Sequence, residues 1–257
     1  MVVLDNLEQG TPEWLQARAA RITASRAAEF SAEPSLAPMP DVEITKEGKV
    51  NYCLFDGVTY EHTNKIELQK MVRESLPCVY SEMRNGYMNE LIGQVCTGEI
   101  KEQIPFKQAE WGHENEEFAR DIFAFQTGLE VKQVGFIYKD DDQRAGISPD
   151  GIIESELAGL EIKSPWDTKW HIDFILAEKI KPEYIEQCQF SMWVTGYKNW
   201  YFASYDPRMK KQRLHYVKIE RDESFMKKYD DAYSVFIKEM DEKLKSIGFE
   251  FKDIYTK

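Results

Sequence analysis

Ser148-Pro149-Asp150-Gly151, followed by Leu160-Glu161-Ile162-Lys163, is the stretch that decides the reading of this chain. Asp150 and Glu161 stand eleven positions apart. Alternate side chains of a strand share a face, so Glu161 and Lys163 point one way while Leu160 and Ile162 point into a core. Asp150 ends one strand at a glycine turn, and the hairpin beyond it returns the chain to Glu161. Two carboxylates and one ammonium thereby converge on one point. Taken without context the pattern is frequent, and a surface ion pair between Glu161 and Lys163 on an edge strand is its plainer alternative.

Phosphodiester hydrolysis uses this arrangement directly. Hard oxygen ligands hold Mg²⁺. A metal pair stabilises the attacking and leaving oxygens and lowers the pKa of bound water. Asp150 is the candidate bridge between two metals, and Glu161 with the Ile162 carbonyl completes one shell. Lys163 then positions or deprotonates the water and offsets phosphate charge. Glu116 strengthens this reading. It shares a face with Ala119 and Phe123 on a helix over 110–127 that is apolar around much of its circumference and so is expected to be largely buried. A carboxylate there is costly without a metal or a cation. The alternative is an ion pair with Arg120, a partner that suits Glu117 better. His113 gives H-x-x-E rather than a zinc-binding HExxH and reads as structural.

Weaker signals lie around this centre. Gln187 falls on a polar strip with Tyr184 and Ser191, which ordinarily means the solvent face of an amphipathic helix. Arg18 with Ser25 at a nascent helix N-terminus suits a terminal phosphate, although a surface arginine and an ordinary N-cap serine explain the same residues. Arg208, Lys210, Lys211 and Arg213 read as a solvated turn, with a duplex-backbone contact as the lesser reading.

Working outward, Thr11-Pro12 starts a helix, and Thr23 or Ser25 is expected to cap a second. Residues 31–50 read as irregular. Val50, Tyr52 and Leu54 alternate before the hairpin signal Asp56-Gly57, and Leu68, Met71, Val72 and Leu76 follow a helical period. This stretch reads as a hairpin-plus-helix insertion over 34–84 without evident chemistry. Met88, Leu91, Ile92 and Val95 form a helical stripe closed by Gly98. Strands are predicted at 131–138, 144–153, 159–163, 199–205 and 213–219. One helix is predicted from Lys181-Pro182 to before Gly196, and a last one carries Phe225 to Leu244. The sum is an α/β chain with a mixed sheet flanked by helices.

The 257 residues are 42% hydrophobic and 30% charged, enough for one large domain or two small ones. No run approaches the apolar length of a membrane span, and MVVLDNLEQG has no signal-peptide character. Cysteines 53, 78, 96 and 188 form no CxxC pair, which suggests neither zinc nor iron–sulfur and fits a reducing cytoplasm. A net charge of −12 argues against nucleic acid only as an average over the surface, because binding follows the local field.

Several blocks give the chain a family likeness. They are Arg18 to Ser25 (RAARITAS), Trp111-Gly112 with Glu116 and Ala119-Arg120, and the two stretches around Asp150 and Glu161. Gln187 to Gln189, Ser191 to Val194, Trp200 to Met209, Leu214 to Val217 and Ile219 to Asp222 complete the set. On these residues the chain resembles the lambda-phage exonuclease family of viral recombination nucleases, over 11–30 and most of 87–251. The resemblance implies a restriction-endonuclease-like PD-(D/E)xK fold, with 1–257 as one exonuclease domain. It implies a 5′→3′ exonuclease that digests one strand of linear double-stranded DNA and leaves a 3′ overhang. It further implies two Mg²⁺ per site with Mn²⁺ able to substitute, a homotrimeric ring threaded by DNA, a single-strand annealing protein as partner, and work in the cytoplasm of a phage's bacterial host. Asp150, Glu161 and Lys163 match the family's catalytic positions, Glu116 and Gln187 its further active-site positions, and Arg18, Ser25 and Ser148 its 5′-phosphate pocket. A family arginine of that pocket falls on Lys169, which weakens bidentate recognition. A wedge residue falls on Ala109, and residues 34–84 have no counterpart. The competing readings are an endonuclease of the same fold and a DNA-end-binding protein with a dead site.

Overall fold

The computed structural model describes residues 1–100 and 107–255, which fall into two compact units: Met1–Ser31 with Gly86–Lys257, and Ala32–Asn85. The first unit opens with β1 (Val2–Leu4), α1 (Pro12–Arg18), β2 (Ile22–Thr23) and α2 (Ala27–Phe30). Thr11 caps α1, its hydroxyl accepting the Trp14 N–H at 3.3 Å, and Pro12 sits where its missing N–H costs nothing. The expected cap at Thr23 or Ser25 is not made. A 3₁₀ turn over Ala24–Arg26 precedes α2, Ser25 lies exposed inside it, and neither side chain bonds a helix N–H.

In the second unit, β3 (Ser35–Leu36), β4 (Ile44–Glu47), β5 (Val50–Phe55), β6 (Val58–His62), α3 (Lys65–Glu74) and β7 (Cys78–Val79) follow in order. Asp56 and Gly57 both take positive φ in the turn joining β5 to β6, as a two-residue hairpin requires. Residues 31–50 are less irregular than their prolines suggest, since β4 pairs antiparallel with β5. Leu68 and Val72, one helical turn apart, are fully buried against Cys53.

The chain continues through α4 (Glu82–Thr97), α5 (Lys107–Thr127), β8 (Phe136–Tyr138), β9 (Ala145–Ile147), β10 (Gly151–Ile153) and β11 (Ala158–Lys163). It ends in α6 (Thr168–Ala177), α7 (Pro182–Thr195), β12 (Asn199–Tyr205), β13 (Leu214–Glu220) and α8 (Glu223–Ser246). The strands of the first unit form two mixed four-stranded sheets, β1-β8-β9-β2 and β10-β11-β12-β13. The single strand predicted over 144–153 is therefore two, in different sheets, broken at Ser148-Pro149-Asp150, where proline has no N–H to give a ladder. In the second sheet β11 and β12 run parallel, and the side chain of Trp200 lies across Gly159 so closely that any Cβ there would collide with its ring.

Phe30 centres the main core, packing on Phe190, Trp193, Tyr229 and Phe236 with ring centroids 5.7–6.3 Å apart. Two helices depart from expectation. The strip Tyr184–Gln187–Ser191 is no solvent face, because Cys188 to Val194 of α7 are all buried. Gln189 bonds the Glu220 carbonyl and the Asp222 N–H, and Ser191 donates to the Gln187 carbonyl, so these polar side chains enter the core satisfied. Conversely α5 is not largely buried. Asn115, Ala119 and Phe123 face inward, whereas Phe118 and Phe125 are exposed. The inward stripe meets the sheet through Phe123 against Tyr201 and Tyr216, with Ile122 packed beside it.

Candidate active site

The β10–β11 ladder pairs Gly151 with Leu160, so the next step outward sets Asp150 opposite Glu161. The Ile162 N–H donates to Asp150 Oδ2 at 2.5 Å. Lys163 Nζ lies 2.5 Å from Glu161 Oε1. Glu161 is only 3% exposed, which excludes a surface pair on an edge strand. Burial, then the charges of Glu161 and Glu116, push the Asp150 carboxyl well above the usual carboxylate range, against the pull of Lys163 and the Ile162 N–H. Burial depresses the Lys163 ammonium, but Glu161 and Asp150 outweigh it and hold the group above its ordinary value.

Glu116 reaches this centre from α5. Its carboxylate pairs with Arg120 at 2.5 Å, and Arg120 Nε donates to the Asp150 carbonyl at 2.7 Å. The Arg120 ion pair, which spacing allows to Glu116 and favours for Glu117, is made by Glu116, and Glu117 is exposed. Arg120 ties the helix carboxylate to the backbone of the aspartate. An arginine four residues after a glutamate is a signal any helix can give, and only the Asp150 contact distinguishes it.

Glu116, Asp150, Glu161, Ile162, Lys163 and Gln187 all line one cleft of ≈ 1030 Å³. Tyr184 forms part of its wall, stacked on Phe202 at 5.5 Å, with Lys163 Nζ 5.1 Å from the Tyr184 ring centroid. The donors suit a hard divalent cation: three carboxylates converge, and the mutual repulsion that raises Asp150 is what such a cation relieves. Among the described residues, no three His, Cys, Asp or Glu side chains close into a ligand shell as they stand. Glu161 is turned onto Lys163 and Glu116 onto Arg120.

A second group assembles on the other side of Pro149. Arg18 Nη1 and Trp14 Nε1 each donate to the Ser148 hydroxyl at 2.9 Å, leaving that hydroxyl's own proton to give. Arg18 also lies 4.4 Å over the Trp14 ring. Burial pulls the Arg18 guanidinium below its ordinary value, with Tyr87 opposing. Ser25 Oγ lies 3.5 Å from Thr23 Oγ1 and Lys169 pairs with Asp167 at 3.2 Å; among the described residues no hydrogen bond joins either of them to Arg18 or Ser148. Ala109 is exposed on the first turn of α5. Arg208 sits in an exposed turn, as the sequence suggests, but its guanidinium is also engaged: it donates to fully buried Asp206 and to the carbonyls of Pro165 and Trp166. It fixes the loop that leads from Lys163 to α6. Periodicity could not show this, because neither the loop nor its clasp is periodic.

A family model of the YqaJ-like viral recombinase domain matches residues 67–198. The alkaline exonuclease LHK-Exo of Laribacter hongkongensis has a similar structure, with TM-score 0.66 and 29% identity over 92% of this chain and 96% of that one. The same enzyme in complex with dAMP gives TM-score 0.67 at 28% identity and the same coverage. A phage-related exonuclease from Haemophilus somnus 129PT shares the fold, with TM-score 0.60 and 15% identity over 89% of this chain and 96% of that chain. ExoD of Escherichia coli (strain K12), an uncharacterised protein, is 55% identical over 74 residues, 29% of this chain and 85% of that protein. The chain belongs to the YqaJ-like viral recombinase family, on the fold of the lambda-exonuclease-like nucleases.

Proposed function

We propose that the protein is a Mg²⁺-dependent 5′→3′ exonuclease that digests one strand of linear double-stranded DNA and leaves a 3′ overhang for strand annealing. The observation that carries this reading is the meeting of Asp150, Glu161, Glu116, Lys163 and Gln187 in one cleft. The dAMP held by LHK-Exo supports a deoxynucleotide as the ligand class. Asp150 and Glu161 would hold the metal, with the Ile162 carbonyl, and Glu116 would complete the acidic set. Bound there, two Mg²⁺ ions would supply charge stabilisation to the attacking and leaving oxygens and an acidified water.

The chain's own residues do the rest. Lys163, whose ammonium Glu161 and Asp150 hold above its ordinary value, would position or deprotonate the water and offset phosphate charge. Gln187 faces the cleft from a helix whose following seven residues are buried, which fixes its backbone. Arg120 keeps Glu116 and Asp150 in register. Arg18 and Ser148 receive the 5′-phosphate through charge-assisted hydrogen bonds, and Lys169 and Ser25 join them when the strand is bound. A homotrimeric ring would keep the enzyme on its strand between cuts.

The test uses one duplex sequence in two forms, linear and covalently closed, with label at either the 5′ or the 3′ end. Mononucleotide release from the 5′ end of the linear form alone is expected, with a trimer in sedimentation. Cleavage of the closed form would convert the reading to an endonuclease. Binding of ends without any cleavage would make the chain an end-binding protein.

A further inference from the structure

Two indoles stand half-exposed in the wall of the cleft that contains Asp150 and Lys163: Trp166 at 50% and Trp170 at 47%. Large aromatics are left in water at a cost unless something covers them. The two differ in what already occupies them. The ammonium groups of Lys181 and Lys169 lie 4.6 and 4.9 Å from the Trp170 ring centroid, so that ring is engaged by cations. Among the described residues, Trp166 has one ring neighbour, Trp111, which meets it edge-to-face at 6.0 Å and 84°. Among the described residues no cation is recorded over its ring.

The backbone beneath Trp166 is held. Arg208 donates to its carbonyl at 2.8 Å and to that of Pro165 at 3.1 Å, and is itself anchored on Asp206, which is wholly buried. Arg208 also sits 4.9 Å over the Trp111 ring, so the edge neighbour is fixed by the same group. Trp166 is three residues past Lys163 on the loop that leaves β11, which ties its position to the group that meets the phosphate. A flat apolar face, fixed in advance beside a phosphodiester site, fits a nucleobase: every base has a π-face, and stacking needs no sequence match.

We propose that Trp166 is a stacking platform that seats the nucleobase of a nucleotide next to the scissile phosphate, with Arg208 as the positioning residue that holds it. This deepens the nuclease reading above and rests on it. The role predicts a positioning effect without base selectivity, because stacking reads no donor or acceptor pattern.

The experiment pairs a deletion on the protein with a deletion on the substrate. A 5′-phosphorylated duplex is compared with the same duplex carrying an abasic deoxyribose at the terminal nucleotide of the digested strand, and in a second substrate at the next one. Wild type, Trp166→Ala, Trp166→Phe and Arg208→Lys are compared in initial rate with Mg²⁺ and in affinity without metal. The expected result for wild type is a loss of roughly ten-fold on one of the abasic substrates, the usual scale of one stacked base. Trp166→Ala should lose as much on the intact duplex and little more on that abasic one, while Trp166→Phe retains most of the wild-type value. Arg208→Lys should fall between them. Equal losses by Trp166→Ala on intact and abasic substrates, in both readouts, would overturn the platform. So would a wild type indifferent to the base at both positions. A chain that binds the duplex and never cuts it would fail the nuclease reading, and the affinity comparison would still decide the platform.

Discussion

Ser148 and Asp150 are separated by one proline, yet side chains of opposite charge gather around them. On the Ser148 side stand a half-buried guanidinium and an indole N–H, both donating to one hydroxyl, and among the described residues no carboxylate pairs with Arg18. On the Asp150 side stand three carboxylates, and burial together with the charges of Glu161 and Glu116 pushes the Asp150 carboxyl well above the usual range. Each side is under-compensated in isolation and complementary to a ligand of the other sign: phosphate on the first, a divalent cation on the second. The division follows from topology. β9 belongs to one sheet and β10 to the other, and the three residues between them carry the chain across. Gln9 pins that crossing, donating to the Pro149 and Val134 carbonyls at 3.0 Å each. Under the proposed function, the crossing would hold a phosphate-binding face and a metal-binding face a fixed step apart, the spacing an enzyme needs if it grips a strand end and cuts beside it.

This comparison can be broken most severely on the acidic side. Lys163→Ala should lower the cleavage rate by about 10²–10⁴, the worth of one positioned proton-handling or charge-stabilising group, with duplex affinity changed little. Near-normal turnover would remove Lys163 from the chemistry. Next in size is the tie between α5 and the aspartate. Arg120→Leu frees Glu116 and the Asp150 carbonyl together, and a loss of roughly 10–100-fold in rate or in Mg²⁺ affinity is expected, the range for residues that orient metal ligands. An unchanged Mg²⁺ titration would show that Arg120 only staples the helix.

The basic side should give smaller and more selective effects. A 5′-phosphorylated blunt duplex should be digested faster than its 5′-hydroxyl twin, and Arg18→Ala should erase most of that preference while sparing the rate on the hydroxyl end. Identical wild-type rates on the two ends would return Arg18 to a structural role with Trp14. Smallest of all, Lys169→Arg should keep or modestly sharpen the preference, because a planar fork replaces a point charge at a position already exposed. A lost preference would mean that Lys169 holds Asp167 rather than phosphate.

How far these sites are legible in sequence depends on what kind of order carries them. Asp150, Glu161 and Lys163 are readable because a strand's period of two and a hairpin's return are short-range rules, and the structure places them as those rules dictate. Arg18 and Trp14 are readable as neighbours because i and i+4 meet on a helix. Their junction with Ser148 is not readable, since it spans 130 positions and depends on which sheet each strand joins. Polar residues mislead where tertiary partners satisfy them. Ser191 and Gln189 signal solvent and are buried, and Arg208, in an exposed turn as its neighbours suggest, is also a clasp that no local rule announces. Apolar residues mislead in the opposite sense on α5, where Phe118 and Phe125 suggest a core that only one stripe enters. Helix α6 is hidden by the Ser164-Pro165 break after β11. Its one local marker is Asp167, whose carboxylate accepts the Lys169 N–H at 3.1 Å.

The central claim is that Asp150 holds catalytic metal at the junction of the two sheets. Asp150→Asn keeps the shape and removes the charge, so it separates metal binding from packing. Thermal unfolding and cleavage of a 5′-phosphorylated linear duplex, each with and without Mg²⁺, are to be compared between this variant and wild type. Without metal the variant should melt higher, since a buried carboxylate crowded by Glu161 and Glu116 is gone. Mg²⁺ should raise the melting temperature of wild type and support its cleavage, and should do neither for Asp150→Asn. Cleavage by the variant at the wild-type rate, or cleavage by wild type in excess chelator, would contradict the account.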